Sequence, residues 1–326
     1  MDEAIHSPLL DLLACPVCKG GLRSTAQLLR CTSCQRTYPV KEGIPVFVDE
    51  EAADHDELDH LAHEIGSHGQ RDHKTQQAAW FDRAEQVEFE IERPEGTPAL
   101  YRFLLLEKFR RAVKPLGERL DGRTALAVCG GSGMDAELLA SIGASAISSD
   151  ISIGAAKRAR ERARRHGLAL FSIVADVEQL PFRDRAIDLV YVHDGLHHLA
   201  QPERGLHEMA RVARRWVSIT EPARATATQF AVKFGVALER EESGNVVARL
   251  HQPAVERELH AAGFNVIQSQ RYAMYYRHFP GRIFEALSRP GAFHLTVAGW
   301  RLANATVGRI GNKLSVVAER QGRSAS

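Results

Sequence analysis

Four cysteines near the amino terminus have the types and spacing of a metal site. They form two C-x-x-C pairs, Cys15 with Cys18 in CPVC and Cys31 with Cys34 in CTSC, separated by twelve residues. Each pair directs two thiolates to one point, and a hairpin between the pairs would close the tetrahedral sulfur shell that zinc prefers. Because that shell has no open position, we expect a structural zinc; two local redox pairs or an iron site are the alternatives.

A second group of polar residues follows short apolar runs in the centre of the chain. The runs TALAV, ASAISS, LALFSIVA, AIDLVYV and WVSIT alternate with helical stretches such as MDAELLASIG and SIGAAKRARERARRHG. This alternation predicts a parallel, doubly wound α/β sheet. Ligands of such sheets bind beyond the carboxyl ends of the strands, so the residues after each run are the candidates for chemistry.

The first two of these strand ends predict a nucleotide site. After the first run comes CGGSGMDA, in which Gly131 and Gly133 let the backbone approach a ligand closely at the start of a helix. After the second run comes Asp150, which could accept hydrogen bonds from ribose hydroxyls. The spacing from Gly131 to Ala136 also fits a dinucleotide fingerprint, so these features leave NAD and S-adenosylmethionine both open.

The third and fourth strand ends carry a family resemblance. The stretch VADVEQLPFRDRAIDLVYVHDGLHHL, continued by QPERGLHEMARVARRWVSITEP, resembles class I S-adenosylmethionine-dependent methyltransferases over residues 120–225. AAGFNVIQS and GNKLSVVAE then correspond to the sixth and seventh strands. The resemblance implies a seven-stranded, Rossmann-like sheet with S-adenosylmethionine as its cofactor, and nothing downstream is similar to a nicotinamide-binding half.

The resemblance also assigns roles to residues. The turn would hold the methionine part of the cofactor, Asp150 the ribose and Asp176 the adenine amino group, while His193 would line the methionine side. The full set of implied cofactor-binding residues is Cys129, Gly130, Gly131, Gly133, Asp150, Ile151, Asp176, Val177 and His193.

The glycine-rich turn departs from the family pattern at two positions. Ala127 stands where the family usually has an acid, and Cys129 where it usually has a glycine. The family's acid helps to hold the ammonium group of the cofactor. We expect its absence either to weaken binding or to move that role to another strand-end acid, Asp194 or Glu221.

Three residues at the fourth and fifth strand ends are candidates for catalysis. His197 and His198 lie in LHHL, where an acceptor would bind, and a neutral imidazole can serve as a general base. Glu221 ends the fifth strand and could contact the acceptor. The alternative is that the histidines only shape the pocket, since LHHL accompanies different acceptors in the family.

The amino-terminal cysteine region carries a resemblance of its own. LLDLLACPVCKGGL, the second cysteine pair and GIPVFVDEEA resemble the small zinc-ribbon activator subunits of tRNA and protein methyltransferases, over roughly residues 7–52. In that family the ribbon pairs with a methyltransferase, which here would be fused to it.

Four regions follow along the chain. We predict a zinc ribbon at 1–50, a polar linker at 51–76, a helical lid segment at 77–118 and a methyltransferase domain at 119–326. The last has acceptor-side insertions around 223–252 and 271–312. The second insertion is rich in aromatic residues, which indicates either a cap over an organic acceptor or an added packing layer.

Composition and net charge narrow the class of methyl acceptor and the expected cellular compartment. The 326 residues carry a net charge of only +1, the front of the chain lacks a signal-peptide layout, and no apolar run is long enough to span a bilayer. We therefore expect a cytoplasmic enzyme that methylates O or N of a small molecule, with nucleic acid and membrane partners disfavoured and a homodimer left open. The alternatives are a tRNA, rRNA or protein methyltransferase, which the basic helix KRARERARRH would suit, and a non-catalytic scaffold.

Overall fold

The amino-terminal region forms a small antiparallel sheet. The computed structural model describes residues 7–25, 27–48, 70–83, 91, 96–224, 249–276 and 281–322. After helix α1 (Ser7–Leu12), strands β1 (Leu22–Ser24), β2 (Leu28–Cys31), β3 (Thr37–Lys41) and β4 (Ile44–Pro45) pair in the order β1-β2-β3-β4. The β1–β2 hairpin follows the first cysteine pair and ends at the second, so it brings the two pairs together.

The central region forms the expected seven-stranded sheet. Its strands are β5 (Thr124–Val128), β6 (Ser145–Asp150), β7 (Leu170–Val174), β8 (Ile187–His193), β9 (Ala213–Pro222), β10 (Phe264–Tyr272) and β11 (Lys313–Arg320), in the order β10-β11-β9-β8-β5-β6-β7. β5 to β9 are parallel, and β11 is antiparallel to both of its neighbours. The doubly wound sheet is thereby confirmed, as are the sixth and seventh strands.

Helices cover the faces and the carboxyl edge of this sheet. They are α2 (Gln70–Arg83), α3 (Ala99–Val113), α4 (Met134–Ser141), α5 (Ile153–His166), α6 (Pro202–Val212), α7 (Gln252–Ala261), α8 (Arg282–Leu287) and α9 (Pro290–Val307). Helix α2 crosses the predicted boundary between residues 76 and 77, and α8 and α9 fall in the predicted insertion at 271–312. Most of the linker and of the insertion at 223–252 lies outside the described residues. Among the helices of the described ranges, none has the length and apolar character needed to cross a bilayer.

The ribbon packs on the methyltransferase-like sheet of its own chain. Val46, just after β4, forms a parallel bridge with Val174 at the edge strand β7, and Phe47 N–H donates to the Val174 carbonyl at 2.8 Å. Leu13 forms an antiparallel bridge with Phe182. One continuous apolar core includes Leu13 and Phe47 from the ribbon together with Phe182 from the sheet side. The ribbon is thus a structural part of the larger unit.

Ion pairs reinforce this contact. Glu42 of the ribbon binds both Lys157 and Arg160 of α5, each at 2.7 Å, and Lys19 pairs with Glu208 of α6 at 3.1 Å. Two basic residues of α5 that could have contacted nucleic acid, Lys157 and Arg160, are therefore paired within the chain.

Helix α5 buries its alanines as its spacing predicts. Ala155, Ala156, Ala159 and Ala163 all face the core. The same spacing predicts that the arginines of this helix form its solvated face, which is wrong for Arg162, because that residue is only 1% exposed. Its guanidinium donates to the Ser132 carbonyl at 2.9 Å and pairs with Glu137 at 2.5 Å, so it fixes the start of α4 against α5.

Asp188 ties three strands together at the amino edge of the sheet. Its carboxylate accepts from the N–H and hydroxyl of Thr124, both at 3.2 Å, and from Arg214 at 2.7 Å. Burial raises the pKa of Asp188, but Arg214 and Thr124 outweigh that effect and hold the pKa below its ordinary value.

We expect Asp188→Asn to lower the free energy of unfolding by about 1–3 kcal/mol, because a buried charged hydrogen-bond acceptor is lost. Denaturant unfolding at neutral pH measures it. Asp184→Asn is the matched control, since that side chain is 71% exposed and should change stability by less than about 0.5 kcal/mol. Equal effects of the two variants would contradict the structural role of Asp188.

Candidate active site

The turn after β5 has the backbone that close approach to a ligand requires. Cys129, Gly131 and Gly133 all adopt left-handed conformations, with φ of 51°, 50° and 85°. At Gly133 a Cβ atom would lie 2.7 Å from the Cβ of Ala159, so only glycine allows α4 to pack against α5 here. Cys129 occupies a left-handed position without being glycine, which costs roughly 1–2 kcal/mol and accounts for the family's glycine there.

Asp150 connects the end of β6 to this turn. Its Oδ2 accepts from Gly131 N–H at 2.8 Å and its Oδ1 from Ser152 N–H at 3.0 Å. Burial raises the pKa of Asp150, against the lowering effect of these two N–H groups. Each carboxylate oxygen has a second lone pair, so the side chain can still accept from a pair of vicinal hydroxyls.

Asp176 lies beyond β7, at the start of a short 3-10 turn. Its Oδ1 accepts from Glu178 N–H at 2.9 Å, and Val177 beside it is buried. Lys74 of α2 reaches the carboxylates of both Asp176 and Glu178, at 2.5 and 2.7 Å. Asp176 lies on the side of the site where the resemblance implies that adenine binds. Helix α2, which the sequence analysis assigns partly to a linker, therefore borders that side.

Helix α2 also contacts the carboxyl edge of the sheet at the start of α5, just after β6. Asp82 accepts from the Ser152 hydroxyl and from Gly154 N–H, the latter at 2.8 Å, at the start of α5. Gln77 donates to the His198 carbonyl at 2.7 Å. Helix α2 thus spans the strand ends from β6 to β8.

His197 and Glu221 form a buried pair at the ends of β8 and β9. His197 Nδ1 lies 2.8 Å from Glu221 Oε2, while Glu221 Oε1 accepts from Gly195 and Leu196 N–H, both at 2.7 Å. Glu221 has no solvent exposure. Its oxygens hold the loop after β8 and orient the His197 imidazole. His198 is partly exposed, and its ring lies 4.1 Å from that of His197.

Asp194 stands at the centre of a cationic cluster on the same side. Its Oδ2 binds Lys108 of α3, Lys313 of β11 at 2.8 Å and the Tyr276 hydroxyl at 3.2 Å. Burial raises the pKa of Asp194, but the charges of Lys108, Lys313 and His193 outweigh it and hold the pKa well below its usual range. Oδ1 of Asp194 is buried and, among the residues the structure describes, has no hydrogen-bond partner.

The four ribbon cysteines converge on one point. The Sγ atoms of Cys15 and Cys34 are 3.7 Å apart, those of Cys18 and Cys31 are 3.4 Å apart, and all four lie within 4.8 Å of one another. A tetrahedral zinc with Zn–S bonds of about 2.3 Å needs sulfur atoms about 3.8 Å apart, so the shell fits zinc. A Cβ atom at Gly20 would lie 2.5 Å from the Ser33 hydroxyl, which explains the glycine in this knuckle.

The residues at the carboxyl edge fit S-adenosylmethionine. The glycine turn, the acid after β6 and the acid after β7 lie at adjacent strands of one sheet edge. Among the residues that the structure describes, none has an atom within 4 Å of the place where a Gly131 Cβ would be. Together with the sheet order and the antiparallel β11, this arrangement defines the class I S-adenosylmethionine-dependent methyltransferases.

Comparisons with known proteins agree with this class. Residues 126–216 match the family model described as a methyltransferase domain, and residues 6–43 match that of Trm112p-like proteins. A UPF0434 protein of Shewanella sp. (strain W3-18-1) is 49% identical over 51 residues, which make up 86% of that protein and 15% of this chain. The chain is an S-adenosylmethionine-dependent methyltransferase, and its amino-terminal ribbon is similar to Trm112p-like proteins.

Two solved structures show the same fold at low sequence identity. Magnesium protoporphyrin IX methyltransferase of Synechocystis PCC 6803 with bound S-adenosylmethionine is 15% identical, with a TM-score of 0.50 over 79% of this chain and 100% of that chain. Phosphoethanolamine N-methyltransferase 2 of Haemonchus contortus in complex with S-adenosyl-L-methionine is 16% identical, with a TM-score of 0.51 over 79% of this chain and 61% of that chain.

The structure brings the sequence-predicted residues to one sheet edge and adds others. Sequence reasoning missed the residues that come from distant elements: Lys74, Asp82, Lys108, Tyr276, Lys313 and Asp135. Of these, only Asp135 had a signal, because it is an acid in the first turn of the helix that follows the glycine turn. The cofactor and catalytic roles of the predicted residues stay predictions.

Proposed function

We propose that this methyltransferase transfers the methyl group to an oxygen or nitrogen of a small organic molecule in the cytoplasm. The observation that carries the proposal is an aromatic cap next to the ends of β8 and β9. Helices α8 and α9 pack on α3 through one apolar cluster that includes Phe103, Tyr276, Phe284 and Trp300. The Tyr276 hydroxyl reaches Asp194 at 3.2 Å, so the cap borders the site itself.

The residues at the strand ends support a set of cofactor-binding roles. Asp150 would bind the ribose hydroxyls and Asp176 the adenine amino group, with Ile151 and Val177 beside the base and His193 near the amino-acid end. The turn from Cys129 to Gly133 would approach the cofactor with its backbone. When bound, S-adenosylmethionine supplies an already activated methyl group, so the protein mainly aligns the acceptor and excludes water.

His197 is our candidate for the group that takes a proton from the acceptor. Glu221 fixes the tautomer and orientation of its imidazole through Nδ1, as an orienting acid does for a general base. Glu221 is fully buried and bonded through both oxygens, so we assign it a positioning role. The buried Oδ1 of Asp194 can accept a hydrogen bond from an acceptor hydroxyl or amine.

We expect His197→Gln to lower kcat about 100-fold with little change in the KM for S-adenosylmethionine, because general-base catalysis is lost while the cofactor site stays intact. Glu221→Gln should lower kcat as well, since the imidazole loses its orienting carboxylate. His207→Gln is the control, because that histidine is exposed on α6 and pairs with Glu258 away from the site. Unchanged kcat in His197→Gln would leave the histidine only a pocket-shaping role.

A second candidate function is the methylation of tRNA or protein. It is favoured by the resemblance of the ribbon to activator subunits of tRNA and protein methyltransferases. Against it, Lys157 and Arg160 of the basic helix are paired with Glu42, and Arg162 is buried. The near-neutral net charge of +1 also gives no broad field to attract a phosphate backbone.

Methyl-labelled S-adenosylmethionine tests the acceptor class. The purified protein is incubated with the labelled cofactor and with the metabolite, RNA and protein fractions of a cell extract in separate reactions. We expect label in the metabolite fraction. Label in RNA or protein alone would overturn the small-molecule proposal. A separate measurement, light scattering on the same preparation, distinguishes a monomer from a homodimer.

A further inference from the structure

The acid missing at Ala127 leaves a gap in the predicted site that the sheet itself does not fill. Ala127 is 1% exposed and lies in an apolar cluster with Tyr191, its register partner on β8. Side chains of register partners on parallel strands lie side by side on one face. An acidic side chain at position 127, where the family usually has one, would therefore lie next to the Tyr191 side chain.

An acid from another element occupies that neighbourhood. Asp135, in the first turn of α4, lies with its Oδ1 2.9 Å from His193 Nδ1 and 3.5 Å from the Tyr191 hydroxyl. The residue is 7% exposed. Both contacts fall on Oδ1, and within the described ranges Oδ2 makes no hydrogen bond. One oxygen is thus fixed while the other is left to receive a donor.

The two other acids near the end of β8 are less suited to a cation. Glu221 already accepts three hydrogen bonds, from His197 and two backbone N–H groups. Asp194 carries two lysines on its Oδ2, and a further positive charge there would meet their repulsion. Asp135 has no lysine or arginine partner among the described residues.

We propose that Asp135 binds the ammonium group at the amino-acid end of the cofactor through Oδ2, in place of the acid missing at Ala127. His193 is the positioning residue that holds Oδ1. The carboxylate has moved from the strand to the first turn of the following helix, where the helix dipole also favours a negative charge. The proposal rests on the S-adenosylmethionine-dependent activity and deepens it by assigning one end of the cofactor.

Two ligands distinguish binding of the amino-acid end of the cofactor from binding of its adenosine part. S-adenosylhomocysteine carries the ammonium group, whereas 5′-methylthioadenosine has the same adenosine and sulfur without it. By calorimetry we expect Asp135→Asn to weaken S-adenosylhomocysteine roughly 10- to 100-fold, the worth of one charged hydrogen bond. Binding of 5′-methylthioadenosine should stay within about threefold of wild type, which also reports that the variant is folded.

Glu137→Gln is the matched control, because it removes an acid from the same helix turn that pairs with Arg162 instead. Any loosening of the start of α4 should act on both ligands alike, so Glu137→Gln should leave the ratio of the two affinities unchanged. Equal weakening of the two ligands by Asp135→Asn, or no weakening of either, would overturn the assignment to Asp135. A selective loss of S-adenosylhomocysteine in Asp194→Asn alone would move the role to Asp194. Wild-type protein that binds neither ligand would instead refute the cofactor site as a whole.

Discussion

Replacing Cys31 with serine is expected to release the zinc and destabilise the whole chain. Binding of a structural zinc contributes its free energy to folding, roughly 10–16 kcal/mol in zinc-finger peptides. That exceeds or matches the roughly 5–15 kcal/mol by which a typical protein is stable. The ribbon, whose short strands enclose little core of their own, should therefore unfold.

The loss should not stay confined to the ribbon. Leu13 and Phe47 complete the core around Phe182, and the segment directly after β4 bridges to the edge strand β7 at Val174. Unfolding the ribbon would expose that core and an unpaired strand edge, which favours aggregation. We expect a lower melting temperature of the main calorimetric transition together with a loss of metal measured per chain.

The fifth cysteine provides the control for this experiment. Cys129 lies at the end of β5, far along the chain from the ribbon, and Cys129→Ser should keep the full zinc content. Chelation of zinc from the wild-type protein should reproduce the effect of Cys31→Ser. A full complement of zinc in Cys31→Ser, or a main transition that does not move, would contradict the structural role of this metal.

The fold could be predicted from the sequence because its signals are local. Each of the five parallel strands β5 to β9 is a short apolar run, and their parallel order follows from the helices between the runs. The sixth and seventh strands were predicted from the family resemblance. The ribbon shell could be predicted for the same reason, since two knuckles of fixed spacing at the ends of one hairpin can meet. Polar residues directly after strands were placed correctly at the carboxyl edge by the geometry of parallel sheets.

The rest of the site depends on packing that the sequence pattern does not show. Lys74 and Asp82 come from α2, whose first half is predicted as a linker and whose second half as a helical lid segment. Neither prediction places this helix across the strand ends. Lys108 belongs to α3 and Lys313 begins β11, yet both meet at Asp194 because the antiparallel last strand starts at the edge where β8 ends. Such contacts between distant segments require the assembled sheet.

Under the role proposed for Asp135, a neighbouring residue compensates the departure at Ala127. The strand acid is absent, and the sequence pointed to the next strand ends, Asp194 and Glu221. In the structure Asp194 binds two lysines and Glu221 bonds to the loop that contains His197. Asp135 instead lies beside Tyr191, the register partner of Ala127. The contact between the start of α4 and β8 forms only in the assembled structure, and the pattern of strands along the sequence does not reveal it.

Asp150→Asn is expected to weaken every adenosine-containing ligand by two to four orders of magnitude. The carboxylate would accept from the ribose hydroxyls, and two charged hydrogen bonds contribute about 3–6 kcal/mol together. It also accepts Gly131 N–H at 2.8 Å, so the variant loosens the turn that approaches the cofactor. Calorimetry with S-adenosylhomocysteine, 5′-methylthioadenosine and adenosine should show similar losses for all three, unlike the selective loss expected in Asp135→Asn.

Stability and binding are separated in this experiment by Asp188→Asn. Asp188 is an equally buried acid of the same sheet, but it lies at the amino edge, where it bonds to Thr124 and Arg214. Its amide variant should unfold more easily and still bind all three ligands with wild-type affinity. If Asp150→Asn bound them as tightly as Asp188→Asn does, the ribose would have to be held elsewhere, and the carboxylate would serve only to fasten the end of β6 to the glycine turn.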